Sequence, residues 1–286
     1  DYTESFSKNV VDNFTQMYAQ GLTPNPCVEC NRSVKFDHFI SQAKKLNCDK
    51  VATGHYAKII KKNNEYELHK ADYLDKDQSY VLHMLKSSDL ENITFPLGEI
   101  SKPEVRQIAA RIGLKTAFKK DSQDICFVGK KDYRSFVEKR IDLTSSGEIF
   151  DTEGNKVGDH NGIHEFTVGQ RKGLPGGYGT PRYVTKINVQ NKNVTIGEKN
   201  DLLVSSFIVE ELSCVNDLEY KNLTIQTRYN SEDLPCEIRK LSDTKVLVQL
   251  KEPAFGVAPG QFGVIYNGTK VVCGGRISSK VLENVG

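Results

Sequence analysis

The sequence predicts a multidomain chain: an α/β unit, a Gly-rich middle section and an all-β C-terminal unit. Three observations carry this. Helical periodicity feeds a short apolar strand in the first part of the chain, the pattern of a parallel sheet packed by helices. From about residue 145, glycine and turn residues become frequent and the helical period fades. Beyond residue 200, short runs rich in β-branched residues recur between turns, as in a small barrel or sandwich.

Each element has a local reason. Residues 4–20 read as an amphipathic helix, with Phe6, Val10, Val11, Phe14, Met17 and Tyr18 on one side and Gly21 just past the end. Pro24, Asn25 and Pro26 are expected to hold the approach to Cys27 and Cys30 in a non-helical loop. The helical period resumes over 34–46 through Phe36, Phe39, Ile40 and Leu46. Residues 49–55 look like a short buried strand ending in a polar turn, and 103–113 like a helix with Pro near its start and Gly at its end. Strands are expected at 182–189, 193–196, 207–212, 223–227, 245–250 and 262–266. The domains are accordingly placed at 1–135, 136–200 and 201–286.

Bulk properties narrow the function. The chain has 286 residues, 38% of them hydrophobic and 27% charged, with a net charge of +2. That balance predicts no general affinity for nucleic acid. Locally it differs: residues 101–140 hold 11 Lys or Arg against 5 Asp or Glu, around Cys126. This stretch is either a solvated helix face or an attractor for a polyanion. No apolar run approaches the roughly 20 residues of a membrane span, so no membrane partner is expected. Seven cysteines are too few, and of the wrong parity, for a disulfide scaffold, which predicts a reducing, cytoplasmic setting. The opening Asp1-Tyr2-Thr3 has no initiator Met and leads straight into a helical pattern, which suggests that an N-terminal part lies upstream.

Two cysteine-bearing stretches carry the chemistry: Asn25-Pro26-Cys27-Val28-Glu29-Cys30-Asn31, and Asp121-Ser122-Gln123-Asp124-Ile125-Cys126-Phe127. Both put thiols in polar, turn-prone segments, where reactive cysteines sit, and not in apolar runs. Lys119, Lys120, Lys130 and Lys131 flank Cys126 and would favour its thiolate. The C-x-x-C pair has several readings. Structural zinc would need two more ligands, and Cys48 is the one nearby candidate. A thioredoxin-like motif would follow a strand directly. A third reading joins Cys126 to the pair, as a sulfur relay or as three thiolate ligands to an iron–sulfur cluster. Cys48, Cys214, Cys236 and Cys273 read as packing residues.

His55 follows Gly54 at the expected C-terminal end of a strand, the edge where ligands bind in open α/β sheets; a turn role fits equally. The loop Asp75-Lys76-Asp77-Gln78-Ser79-Tyr80 is dense in polar groups. In Gly169-Gln170-Arg171-Lys172-Gly173-Leu174, two cations among glycines would allow close backbone approach to phosphate, or simply mark a flexible loop.

As an ordered set, these segments resemble the tRNA-specific 2-thiouridylases. The set comprises Thr23-Pro24-Asn25-Pro26, Cys30-Asn31, Lys35-Phe36, Ala52-Thr53-Gly54-His55-Tyr56 and Lys76 to Tyr80. It continues with Lys120-Asp121-Ser122, Ile125-Cys126-Phe127 and Gly169 to Leu174, so the resemblance covers essentially the whole chain. It implies an α/β domain of the ATP-pyrophosphatase type with a parallel sheet, a small central domain and a C-terminal antiparallel β-barrel. It further implies an enzyme that uses ATP, with Mg2+, to replace O2 of the wobble uridine of tRNA with sulfur. By that resemblance Cys30 is the nucleophile and Cys126 carries a persulfide, the two closing a disulfide as sulfur leaves. Gly54 would approach ATP, and Asn25, Pro26, Cys27 and His55 would lie against the target base. Lys76, Asp77, Gln78, Arg228, Tyr229 and Gln261 would touch tRNA, and a cysteine desulfurase or relay protein would deliver the sulfur.

Two departures from the family pattern matter. The phosphate loop of Ser-Gly-Gly-Val-Asp-Ser type does not occur in these 286 residues, so the chain is expected to be N-terminally truncated and unable to adenylate RNA alone. Cys27 stands where the family often has Asp, which gives three potential thiolate ligands, Cys27, Cys30 and Cys126, for a [4Fe–4S] cluster. The competing functions are a non-catalytic RNA-binding remnant and a thiol–disulfide oxidoreductase.

Overall fold

The computed structural model describes residues 1–119, 125–129, 132–141, 146–213 and 221–279. The expected first helix is present but compound. It runs as α1 (Thr3–Phe6), a π-helical stretch (Ser7–Asp12) and α2 (Asn13–Ala19), and Gly21 beyond it takes φ +64°. The second helix begins earlier than expected, as α3 (Pro26–Glu29), a second π-helical stretch (Cys30–Phe36) and α4 (Asp37–Lys45). Pro24 and Asn25 form the non-helical approach as expected, but the helix starts at Pro26 and takes in Cys27 and Cys30, which corrects the later start expected. The reason is local: Asn25 is the N-cap, its side chain accepting from the Val28 amide at 3.4 Å, and Pro26 occupies the first turn, where its missing N–H costs nothing.

The strand expected at 49–55 shrinks to β1 (Val51–Ala52), which pairs in parallel with β4 (Ile93–Thr94). Between them lies a hairpin that the sequence reading missed, β2 (Ala57–Lys62) and β3 (Glu65–Lys70). A short helix α5 (Ser87–Leu90) precedes β4. The helix expected at 103–113 is α6 (Lys102–Arg111), started by a capping box in which Ser101 and Glu104 satisfy each other's backbone amides. Helix α7 (Tyr133–Glu138) leads into the central sheet.

That sheet has the order β6-β5-β8-β7, from β5 (Gly147–Phe150), β6 (Lys156–His160), β7 (Tyr183–Asn188) and β8 (Asn193–Gly197). The last domain contains β9 (Leu203–Glu210), β10 (Leu223–Gln226), β11 (Leu234–Ser242), β12 (Lys245–Phe255), β13 (Phe262–Asn267) and β14 (Lys270–Ile277). Pairing of β13 with both β10 and β14 closes these six antiparallel strands into a barrel. Closure removes the exposed edges that an open antiparallel sheet would carry. Phe207, Val209, Ile225, Val246, Val248 and Ile265 fill it. Cys236 and Cys273 lie in this interior as expected packing residues, whereas Cys48 is exposed at the end of α4 and Cys214 lies outside the described residues.

The barrel is not an independent appendage. The hairpin β2–β3 extends its sheet, through pairing of His69 with Lys270 on β14. Lys70 is buried, donates to Asp233 at 2.6 Å and stands 4.1 Å from the centre of the Tyr266 ring. One apolar core joins Val28, Phe36 and Ile40 of the second helix to Tyr80, Leu82 and then Phe262, Val264 and Tyr266 of β13.

His83 is sealed in this junction. Its Nδ1 donates to the Tyr80 carbonyl at 2.7 Å, and a Cβ added at Gly274 would come within 2.3 Å of its ring. Burial pushes its pKa down to about 4, so it is neutral in the folded protein at pH 7. The unfolded chain takes up a proton at this position near pH 6.5, so the stability His83 contributes is complete above that pH and is lost as pH falls toward 4. Urea melts at pH 7 and pH 5 should differ by about 2 kcal/mol from this residue alone, and His83→Gln should remove that part of the difference.

Candidate functional site

Three chain segments meet around the C-x-x-C turn. Cys27 and Cys30 lie in the first turns of the second helix, Cys27 exposed and Cys30 half-buried. Cys126 is also exposed, on a turn fixed by its neighbour Phe127. The Phe127 ring packs edge-on against Phe6 at 5.7 Å and Phe14 at 5.3 Å, and stands 5.3 Å from Phe136. The turn is therefore pinned to the first helix and to α7.

The thiols sense one another. Protein atoms around Cys27 desolvate its sulfur although the residue keeps exposed surface, and this pushes its pKa up; a charge on Cys126, then one on Cys30, pushes it further. Desolvation and Cys126 also raise Cys30, while the Lys35 ammonium opposes the rise at both sites. Lys35 follows Cys30 by five residues inside the π-helical stretch, whose i→i+5 hydrogen-bond spacing stacks those two positions. Sequence reasoning quoted Lys35 without giving it a role, because an α-helical count separates it from the thiol.

This convergence bears on metals. Among the described residues, no cysteine belongs to a group of three His, Cys, Asp or Glu whose ligand atoms lie within 4.8 Å of one another. Four sulfurs around one zinc ion stand about 3.8 Å apart, so the thiols do not form a zinc tetrahedron here.

His55 closes one side. It is buried between Phe36 and Phe95, with ring centroids at 5.8 and 6.0 Å, and its Nδ1 meets Thr53 Oγ1 at 2.8 Å. Burial, then the charge of Lys35, lowers its pKa to about 4, so it is a neutral imidazole at pH 7. Gly54 lies just beyond the C-terminal end of parallel strand β1. A Cβ there would meet nothing nearer than Leu97 at 3.7 Å, so the protein's own packing leaves this backbone open to a ligand.

The residues expected at tRNA divide into two groups. Lys76, Asp77 and Gln78 precede Tyr80, and Asp77 and Tyr229 line one cleft of about 690 Å³ together with Lys70 and Gln226. The Asp77 carboxylate, however, is turned into its own loop, where it accepts from the Ala71 amide at 2.8 Å, the Ser79 hydroxyl at 2.6 Å and the Ser79 amide at 3.3 Å. Desolvation outweighs these bonds and leaves its pKa raised. Gln78 Oε1 accepts from the Tyr56 amide at 3.0 Å, tying the loop to the residue after His55. Gln261 donates to the Thr23 and Pro24 carbonyls, each at 3.1 Å, and so holds the residues before Asn25. Arg228 is packed against Gly169 and Gly256, where an added Cβ would come within 3.3 and 3.0 Å of its guanidinium. This brings the Gln170-Arg171-Lys172 loop of the central domain to the barrel. Lys120, Lys130, Lys131 and the Asp121-Ser122 motif lie outside the described residues.

Comparison with known proteins decides the family. Residues 1–130 match the description "tRNA methyl transferase HUP domain", 134–198 the "PRC-barrel domain" of the same name, and 204–277 the "Aminomethyltransferase beta-barrel domain". A protein of Rickettsia prowazekii named "tRNA-specific 2-thiouridylase MnmA" is 41% identical over 286 residues, covering 98% of this chain and 80% of the relative. The protein of that name from Chloroflexus aurantiacus is 42% identical over 285 residues, covering 97% and 79%. This chain belongs to the tRNA-specific 2-thiouridylase family. Family membership agrees with the three-part architecture: the parallel pair β1–β4 and its helices, the central sheet and the closed barrel.

Asp77→Ala leaves two buried amides and a hydroxyl without their acceptor. It should lower stability by about 3 kcal/mol, and Asp77→Asn by less, as read from thermal melts.

Proposed function

We propose that this protein replaces O2 of the wobble uridine of tRNA with sulfur in an ATP-dependent reaction. What supports the reading is that Cys126, about a hundred positions away in the chain, lies close enough to Cys27 and Cys30 for their charges to interact. The names of its relatives supply the substrate. No described helix is long and apolar enough to cross a membrane.

The chain's own groups divide the work. ATP with Mg2+, when bound, supplies the adenylate that makes the uridine oxygen a good leaving group. Cys126 carries the outer sulfur of a persulfide, which forms the new bond to C2 of the base. The Cys30 thiolate attacks the Cys126 sulfur, so the S–S bond of the persulfide breaks as the Cys30–Cys126 disulfide forms. AMP departs with the original oxygen. A dithiol reductant then returns both cysteines to thiols, and a cysteine desulfurase or relay protein reloads Cys126. Lys35 favours the attacking thiolate, against the desolvation that holds both C-x-x-C thiols up. Neutral His55 and the Asn25–Cys27 turn form the wall against which an unstacked base would lie. Tyr229, on the lining of the cleft, supplies a ring on which a base would stack.

A second reading uses the same thiols. Cys27, Cys30 and Cys126 would hold three irons of a [4Fe–4S] cluster, leaving the fourth iron for the sulfur to be transferred. What supports it is a third thiol, Cys27, within electrostatic reach of the other two. The two readings part at Cys27. In a persulfide relay, Cys27→Ser should retain most thiolation while Cys30→Ser and Cys126→Ser abolish it; in a cluster mechanism all three should fail. Mass spectrometry of 2-thiouridine in tRNA from complemented cells reads both. A wild-type chain that never restores 2-thiouridine, yet binds tRNA, would support a binding remnant instead.

A further inference from the structure

Glu29 stands between the two thiols of the C-x-x-C turn, and its carboxylate is buried. One oxygen accepts from Arg32 Nη2 at 2.8 Å; the other accepts from Arg276 Nη2 at 3.0 Å. Arg276 lies 247 positions away, on β14 of the barrel. Its guanidinium is engaged on every side. Nε donates to Glu211 at 3.3 Å, and Nη1 faces Met17 Sδ at 3.2 Å and the Gly260 carbonyl at 3.4 Å. Its Cζ stands 4.9 Å from the centre of the Phe262 ring.

The two partners of Glu29 are not equivalent. The side chain of Arg32 is half exposed, at 49%, and an exposed ion pair holds little. Arg276 is 14% exposed and fixed by the barrel, so it is the group that compensates the buried carboxylate. The thiols thus rest on different supports. Cys27 and Cys30 are tied to the barrel through Glu29, while Cys126 is tied through Phe127 to the first helix and α7. Met17 on α2 touches Arg276, which makes this arginine a joint between the supports.

We propose that Arg276 is a positioning residue for sulfur transfer, holding the C-x-x-C turn in register with Cys126 through Glu29. This rests on the thiols being the transfer site. Exchange between sulfurs requires near-contact, and a displacement of about 1 Å lowers such a rate roughly a hundredfold. Lysine cannot reproduce the fork that reaches Glu29, Glu211 and Gly260 together.

The test uses the full chain with Arg276→Gln, Arg276→Lys, Glu29→Gln and the double variant Glu29→Gln/Arg276→Gln. Formation of the Cys30–Cys126 disulfide is followed after a diamide pulse by non-reducing peptide mapping, beside tRNA affinity and thermal melting. Arg276→Gln should slow the disulfide at least tenfold with tRNA Kd unchanged within twofold, and Arg276→Lys should fall between. The double variant, which leaves no buried charge unpaired, should fold and be no slower than Arg276→Gln. Disulfide formation at the wild-type rate in Arg276→Gln would overturn the proposal, as would parallel loss of tRNA binding and thermal stability in every variant. Failure of wild-type protein to form the disulfide would overturn it too. Normal disulfide kinetics without any 2-thiouridine in cells would sink the proposed function and leave the positioning role intact.

Discussion

The close approach of the barrel to the segment before the thiols is the constraint on which the site depends. Gly260 takes φ +89°, and a Cβ there would press within 2.8 Å of both Leu22 Cβ and the Thr23 amide nitrogen. Across this contact the Thr23 amide donates to the Pro259 carbonyl, and Gln261 reaches back to Thr23 and Pro24. Tyr80 adds a third tie, its hydroxyl donating to the Phe262 carbonyl at 2.8 Å. The turn that caps the thiol-bearing helix is built jointly by the start and the end of the chain. The barrel is therefore structural support for the segment that carries the thiols.

Within that frame the electrostatics are divided. Burial holds Cys27 and Cys30 toward the protonated thiol, and Lys35 works in the opposite direction on both. The same ammonium, together with burial, keeps His55 neutral. One half-buried cation therefore acts on two candidate nucleophiles and on the ring beside them. Lys35 thus offsets part of the desolvation of the two thiols while the neighbouring imidazole stays neutral.

Much of this was legible in the sequence because it rests on short-range rules. Pro103 signals the start of α6, Gly113 its end, and the β-branched runs at 223–227 and 262–266 mark barrel strands. The site residues were legible only as ordered motifs, since no single motif has a unique chemistry. What escaped has physical causes. The hairpin β2–β3 is lysine-rich and half exposed, so no apolar run marks it. Strands β5 and β6 are short and lie among glycines and turn residues. The Pro24-Asn25-Pro26 run looked like a loop because a proline at a helix start has the same local signature as one in a turn. The pair Glu29–Arg276 has no sequence signal at all, because only folding brings those positions together.

The π-helical stretch Cys30–Phe36 has an evolutionary corollary. It faces a second such stretch, Ser7–Asp12, across the interior. A π turn is an α-helix carrying one extra residue, so excising a single residue from 30–36 would restore ordinary winding and swing Cys30 by ~100° relative to Phe36 and Ile40. Point substitutions can drift through this region gradually, but a one-codon deletion would aim the sulfur at a different neighbour in a single step. Alignment gaps among relatives should accordingly collect in the surface hairpins and avoid this helix.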